Sequence, residues 1–220
     1  MLKIVGKLID LTHCIDPNMP VYPGHSKPQL KDAKTFERNR VNLTTIVMGA
    51  HVGTHVDAPR HFIKDGATLD EVSLDKFIGE AAVLNLSNVK LGSGITEKDL
   101  EPYSSQVKPG DIVVLYTGSS DHWGEPWIDE NYTYLDESGA KWLLLKGVKT
   151  VAIDCLGVDK SGATEPVAHR ILLGSGIPVI ETLNKQLRKI AGKRIFLICL
   201  PLKLKGREAA PARVIAYPLD

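Results

Sequence analysis

Short apolar runs rich in β-branched residues recur along the chain: Lys7 to Leu11, Leu43 to Met48, Ala81 to Leu86, Ile112 to Tyr116, Val148 to Asp154, Pro178 to Ile180 and Arg194 to Leu200. A last one lies near Arg213 to Tyr217. Runs of this length and composition predict strands. Between them the spacing becomes helical. Thr96 stands where it can cap Glu97 to Leu100, and Asp136 where it can cap a segment through Lys146 that stops at Gly147. Leu183 to Ile190 sets leucines among lysines at helical intervals, and Ala168 to Gly174 reads as a short helix closed by glycine. The second half therefore alternates helix and strand, which predicts a partly parallel sheet covered by helices; the strand- and loop-rich first half adds antiparallel pairing. The predicted class is α/β with a mixed sheet, and with no repeat or low-complexity linker residues 1–220 read as one domain. Gly118 to Asp136 shows neither period. Its aromatics, among them Trp123 and Trp127, mark a long structured loop, either a binding element or an oligomer contact.

Composition narrows the partners. Hydrophobic residues are 43% and charged residues 24% of the chain, which suits a buried core and excludes disordered and fibrous classes. With Lys+Arg 27 against Asp+Glu 26 the net charge is +1, so no field is available to hold nucleic acid or an anionic membrane. Lys203, Lys205 and Arg207 read as a solvated face, and Gly174-Ser175-Gly176 as a turn rather than a phosphate cradle. Apolar stretches such as Ile195 to Leu200 fall far below the roughly 20 residues of a membrane span. Lysines interrupt the apolar residues of Met1 to Lys7, unlike a secretory signal, and Cys14, Cys155 and Cys199 form no C-x-x-C pair. A cytoplasmic protein acting on a small molecule is expected.

Candidate chemistry concentrates in Gly49 to Phe62, where His51, His55 and His61 surround Asp57. Clustered imidazoles and a carboxylate need a common stabiliser, and a divalent cation such as zinc, manganese or iron supplies it. In a straight strand His51 and His55 would stand ~13 Å apart. Gly53 and Pro59 oppose a continuous helix. The segment is therefore expected to be a tight loop after the Leu43 to Met48 strand, bent at Gly53 and leaving through Pro59. His61 is placed as a neighbouring proton carrier, the alternative being a fourth ligand of a closed structural site.

Two further candidates lie downstream. Glu181 ends the apolar run Gly176 to Ile180, and a carboxylate there needs a cation, a hydrogen-bond network or exposure at the strand tip. Ligand sites of open α/β sheets gather at such strand ends. Together with His169 it brings the candidate ligands to five, more than the three typical of one catalytic ion. Two ions sharing Asp57 and Glu181 would use them all.

The string His51-Val52-Gly53-Thr54-His55-Val56-Asp57-Ala58-Pro59, followed by His61, resembles the signature of the cyclase and kynurenine formamidase family of metal-dependent hydrolases. Weaker matches follow in order: Asp10-Leu11-Thr12, Pro20-Val21-Tyr22-Pro23-Gly24, Gly110-Asp111, Val151 to Asp154, His169 to Leu173, Ile180-Glu181 and Ala210 to Arg213. The resemblance implies a swivelling β/β/α fold, a homodimer or homotetramer, and one or two Zn2+ or Mn2+ ions per subunit. It also implies hydrolysis of an amide, as in arylformamidases of tryptophan catabolism, or opening of a cyclic amide such as isatin. On this pattern His51, His55 and Asp57 bind one ion, Asp57, His169 and Glu181 complete a second, and His61 is the proton donor and acceptor to a metal-activated water. Tyr22 stands where kynurenine formamidases commonly carry a pocket tryptophan. Tyr22, Phe62, Trp123 and Trp127 are the candidate aromatic walls for a flat substrate, each equally suited to a core. Rival readings are a non-haem iron oxygenase built on His55, Asp57 and His169, and a non-catalytic metal-binding protein.

Overall fold

Most of the predicted strands join one mixed sheet that curls into a barrel, while Leu43 to Met48 pairs apart from it in a two-stranded sheet. The computed structural model describes residues 7–219; the run Met1 to Gly6 lies outside them. In chain order the strands are β1 (Ile9–Asp10), β2 (Gln29–Lys34), β3 (Leu43–Val47), β4 (His55–Asp57), β5 (Ile78–Asn85) and β6 (Gly94–Ile95). They continue with β7 (Ile112–Tyr116), β8 (Tyr134–Leu135), β9 (Thr150–Ile153), β10 (Val179–Glu181), β11 (Arg194–Pro201) and β12 (Ala209–Pro218). The helices are α1 (Phe36–Asn39), α2 (Glu97–Leu100), α3 (Ile128–Asn131), α4 (Glu137–Leu145) and α5 (Val167–Gly174).

The main sheet runs β1-β12-β11-β5-β7-β9-β10-β4 and closes because β12 also pairs with β4. One edge of β12 carries β11; its other edge carries β4 through Ala209 to Pro211 and β1 through Ile215 and Ala216. The strands β5, β7, β9 and β10 run parallel, and the remaining pairings of the ring are antiparallel. This is the mixed α/β class predicted from the order of elements.

Successive strand residues point to opposite faces. Inside the barrel lie Val56, Ala81, Val83, Val114, Ala152, Ile180, Leu197, Ala210 and Val214. On the outer face of the parallel strands Leu84, Val113, Leu115, Val151, Ile153 and Val179 pack against α4 and α5 through Leu143, Ala168 and Leu172. The Asp136 carboxylate accepts a hydrogen bond from Gly139 N at the start of α4, and Thr96 with Asp99 forms a reciprocal cap on α2. Each such cap stabilises a helix by ~1 kcal/mol.

Two expectations are corrected here. Leu183 to Ile190 is not one α-helix: Leu183 bridges to Thr12, and a 3-10 helix follows over Lys185–Ile190. Leu183 N is bonded to Ile153 O and Asn184 N to Leu11 O, so the chain stays extended until the Asn184 side chain accepts from Gln186 N. Gly118 to Asp136 is less irregular than expected; it holds a 3-10 turn (Ser119–His122), α3, and β8, which pairs in parallel with β6. Elements of two to four residues are too short to display a period.

Parity positions the site. Val56 and Ile180 face the barrel interior, so their neighbours His55, Asp57 and Glu181 emerge on the outer face. There β4 and β10 lie beside α5, with His55 directly opposite Glu181 and Asp57 opposite Val179.

Candidate metal centre

The histidine segment turns through residues 50–54 and then enters β4, so the expectation of a loop throughout is corrected: His55–Asp57 is strand, hydrogen-bonded on both edges by β10 and β12. Gly53 makes the bend. Its φ of +63° lies in the left-handed region, and a Cβ there would meet Met19 Cε at 3.0 Å. The turn brings the His51 and His55 rings to 5.1 Å between centroids, where a straight strand would hold them apart.

Asp57, fully buried, is the hub. Its Oδ1 lies 2.9 Å from His51 Nδ1 and 3.4 Å from His55 Nε2, and its Oδ2 lies 3.2 Å from His169 Nε2. Glu181 completes the ring, Oε2 at 3.5 Å from His55 Nε2 and Oε1 at 3.2 Å from His169 Nε2. All five residues picked out as ligands are thus brought together, His169 from the first turn of α5 and Glu181 from the end of β10.

The imidazoles are held from behind. His55 Nδ1 is 2.7 Å from Gly53 O, and His169 Nδ1 is 2.6 Å from Asp159 Oδ2. Both partners are acceptors, so Nδ1 carries a proton and Nε2 is the nitrogen turned to the cluster, where its lone pair is available once a cation replaces a proton. His51 presents Nδ1 to Asp57, while its Nε2 faces Glu208 Oε1 at 3.6 Å. His55 Nε2 and Asp57 Oδ1 are buried and have no hydrogen-bond partner. Burial pushes the His55 imidazole down, but Asp57 and Glu181 outweigh it and raise its pKa to about 9. Burial likewise opposes charge on His169, yet bonds to Asp159, Asp57 and Glu181 raise it well above the usual range. Asp57, pushed up by burial, is drawn well below the ordinary carboxylate value by His55, His169 and His51. The cluster demands positive charge between its carboxylates, and this N/O donor set fits a divalent cation. Among the described residues two groups have donor atoms mutually within 4.8 Å, His55-Asp57-Glu181 and His51-Asp57-His61, and they share Asp57.

The cluster floors a cavity of about 280 Å³ whose lining includes Tyr22, His25, Phe62, Lys160 and Thr164. His61, on the 3-10 turn Pro59–His61, lies 4.1 Å from the His51 ring and 5.7 Å from that of His169. Burial lowers its pKa to about 4, so its imidazole is neutral at neutral pH. The Phe62 ring is 4.7 Å from the His169 ring. Trp123 and Trp127 are not in the lining. Trp123 stacks on His13 at 3.9 Å and packs against the outer core, and Trp127 is exposed with Nε1 donating to Glu125. Sequence reasoning passed over His25, Asp159 and Glu208. None stands in a cluster of histidines and carboxylates in the sequence, and only the fold aligns them with the site.

A barrel carrying a buried histidine and carboxylate cluster beneath a cavity has the donor set of a metal-dependent enzyme, and the relatives it resembles are hydrolases. The chain belongs to the Cyclase family, whose model matches residues 9–160. It is similar to the kynurenine formamidase of Salinibacter ruber, 31% identical over 94% of this chain and 96% of that one. A solved structure of a potential metal-dependent hydrolase with cyclase activity is 30% identical, covers 97% of this chain and 98% of its own, and superposes with a TM-score of 0.82. Isatin hydrolase A from Labrenzia aggregata, 23% identical over 97% of this chain and 94% of its own, shares the fold with a TM-score of 0.87.

Proposed function

We propose that this enzyme hydrolyses the amide of an N-formyl arylamine of the N-formylkynurenine type, using one or two zinc or manganese ions held by His51, His55, Asp57, His169 and Glu181. The carrying observation is the pair of buried, unpartnered atoms His55 Nε2 and Asp57 Oδ1, set 3.4 Å apart beneath the cavity. A divalent cation there supplies Lewis acidity, which polarises an amide carbonyl and lowers the pKa of a bound water to about 7. Asp159 and the Gly53 carbonyl hold the imidazoles in the ligating tautomer. His61 takes a proton from water and returns it to the departing nitrogen, a role its neutral imidazole suits. Tyr22 and Phe62 flank a flat aryl group.

Metal analysis of the purified protein, with formate release from N-formylkynurenine before and after chelation, tests this. Activity that disappears on chelation and returns with zinc or manganese is expected; full metal without turnover overturns it. The shared fold with isatin hydrolase supports a second reading, opening of a cyclic amide at the same centre, and turnover of isatin separates the two. An oxygenase triad of His55, Asp57 and His169 leaves the convergent Glu181 without a role.

The same reading includes a homodimer or homotetramer. Every residue of β2 and β3 is exposed, among them Leu30, Leu43, Ile46 and Val47. A lone two-stranded hairpin is marginal in water, and apolar side chains exposed on both of its faces, Leu30 with Ile46 on one and Leu43 with Val47 on the other, mark an interface. It also includes a cytoplasmic location, supported by the free thiols of Cys14, Cys155 and Cys199. Among the described residues no helix is long and apolar enough to cross a membrane.

A further inference from the structure

The charges around the cavity are divided by position. Its two carboxylates are committed to the metal-binding side. Asp159 accepts from His169 Nδ1 and His169 N through Oδ2 and from Ala168 N through Oδ1. Glu181 accepts from Val158 N and faces His55 and His169. The segment between β9 and α5, which also carries Asp159, contributes Lys160 and Thr164 to the cavity wall as side chains that can donate. Lys160 lines the cavity from an exposed position, and among the described residues no carboxylate lies within 4.0 Å of its ammonium. Thr164 contributes a hydroxyl to the same wall. The Tyr22 hydroxyl accepts from Gly162 N at 3.2 Å, which leaves its own proton free to donate. An apolar ligand end would leave all three donors unused, and a cationic one would be repelled by Lys160. A carboxylate can accept from each of these donor types.

We propose that Lys160, with the hydroxyls of Tyr22 and Thr164, forms a carboxylate-binding end of the cavity, so that the preferred substrate is an aryl amide bearing an acid group. The inference rests on the arylformamide reading for the word substrate, but the recognition itself is a property of the cavity. Lys160 is a specificity residue and takes no part in bond cleavage. Its neighbour Asp159 fixes the ligand His169, so a single short segment couples the anchoring of the acid group to the position of the metal centre.

The test compares an anion with its neutral isostere. Binding of 2-aminobenzoate and 2-aminobenzamide to the zinc-loaded protein is measured by calorimetry for the natural chain, Lys160→Met and Lys160→Glu. Charge-assisted hydrogen bonds favour the acid roughly tenfold in the natural protein. In Lys160→Met that preference falls to about twofold or less, and Lys160→Glu reverses it. A preference of the same size in Lys160→Met overturns the proposal, because the carboxylate is then held by the metal or another group; so does the absence of any preference in the natural chain. Zinc content and melting temperature of each variant confirm that this exposed substitution leaves the fold intact. Formate release from 2-formamidobenzoate and 2-formamidobenzamide is then followed with the same three proteins. Hydrolysis of neither sinks the formamidase reading, while the affinity ratio still decides the role of Lys160.

Discussion

Replacement of Asp159 by asparagine isolates the contribution of a group that touches no metal. The carboxylate accepts three hydrogen bonds, from His169 Nδ1 at 2.6 Å, His169 N at 3.1 Å and Ala168 N at 2.7 Å. Asparagine has one carbonyl oxygen, so its NH2 must face one side of this donor set. If the oxygen stays on Ala168 N, the amide donates to His169 Nδ1 and the imidazole proton moves to Nε2. That nitrogen lies 3.2 Å from both Asp57 and Glu181, where a lone pair is needed. Loss of such an orienting partner lowers metal affinity by about 10- to 100-fold, which corresponds to ~1.4–2.7 kcal/mol. Competition with a chromogenic chelator at fixed pH measures this directly. Turnover of Asp159→Asn is expected to recover, in part, with excess zinc. Asp159 also caps the first turn of α5, a role worth ~1 kcal/mol, or about 2–4 °C in the melting temperature of the metal-free protein. The effects divide between assays: metal-free melting reads the cap together with the Asp159–His169 pair, and chelator competition reads the tautomer. A zinc affinity unchanged within about twofold would refute the argument that Asp159 sets the protonation of His169.

Other outcomes follow from the same coordinates. His61→Gln is expected to retain its metal and lose about 10²- to 10⁴-fold in kcat; loss of metal in parallel would make His61 a ligand with His51 and Asp57 instead. His13, stacked on Trp123, has its pKa lowered by burial to about 4 from 6.5, so it is neutral in the fold. As pH falls below 6.5 the unfolded chain binds a proton there that the folded chain does not, and stability is lost until pH reaches about 4. The loss amounts to no more than ~3 kcal/mol. His13→Phe, compared with the natural chain by urea unfolding of chelated protein at pH 7 and pH 4.5, should flatten this slope; identical slopes would exclude the buried neutral imidazole. If the proposed oligomer forms through the exposed hairpin, Ile46→Glu converts it to monomer in light scattering, and an unchanged mass would show that the hairpin is not the interface.

The parts of this molecule that were legible in its sequence are those whose cost is local. Strands β5, β7, β9 and β11 announce themselves because their residues are buried on both faces or alternate cleanly. The candidate ligand cluster is legible for the opposite reason: polar and titratable groups beside Val56 and Ile180 have no place in a sheet unless something compensates them. Barrel closure is not legible, because it depends on the second edge of β12. There Ala209 to Pro211 lacks β-branched residues and contains a proline, yet still meets β4. Asp159 and Glu208 escape notice because facing a histidine distant in the chain, at 2.6 Å and 3.6 Å respectively, is a relation in space. Trp123 and Trp127 illustrate the limit from the other side. An aromatic ring suits a core and a cavity wall equally, and only its place relative to the sheet decides between them.

Closure and chemistry are nonetheless linked through register. His55 and Asp57 face outward because Val56 faces inward between Ile180 and Ala210, opposite which it lies in the two pairings of β4. A slip of one residue would exchange these faces, placing two titratable side chains in the apolar interior and Val56 beneath the cavity. Burying an unpaired carboxylate costs several kcal/mol, so the slipped pairing is strongly disfavoured. The three-residue strand at the heart of the site therefore needs no strong strand propensity of its own. Its register is held by one valine packed on either side into the barrel, and the candidate metal centre inherits its geometry from that apolar contact.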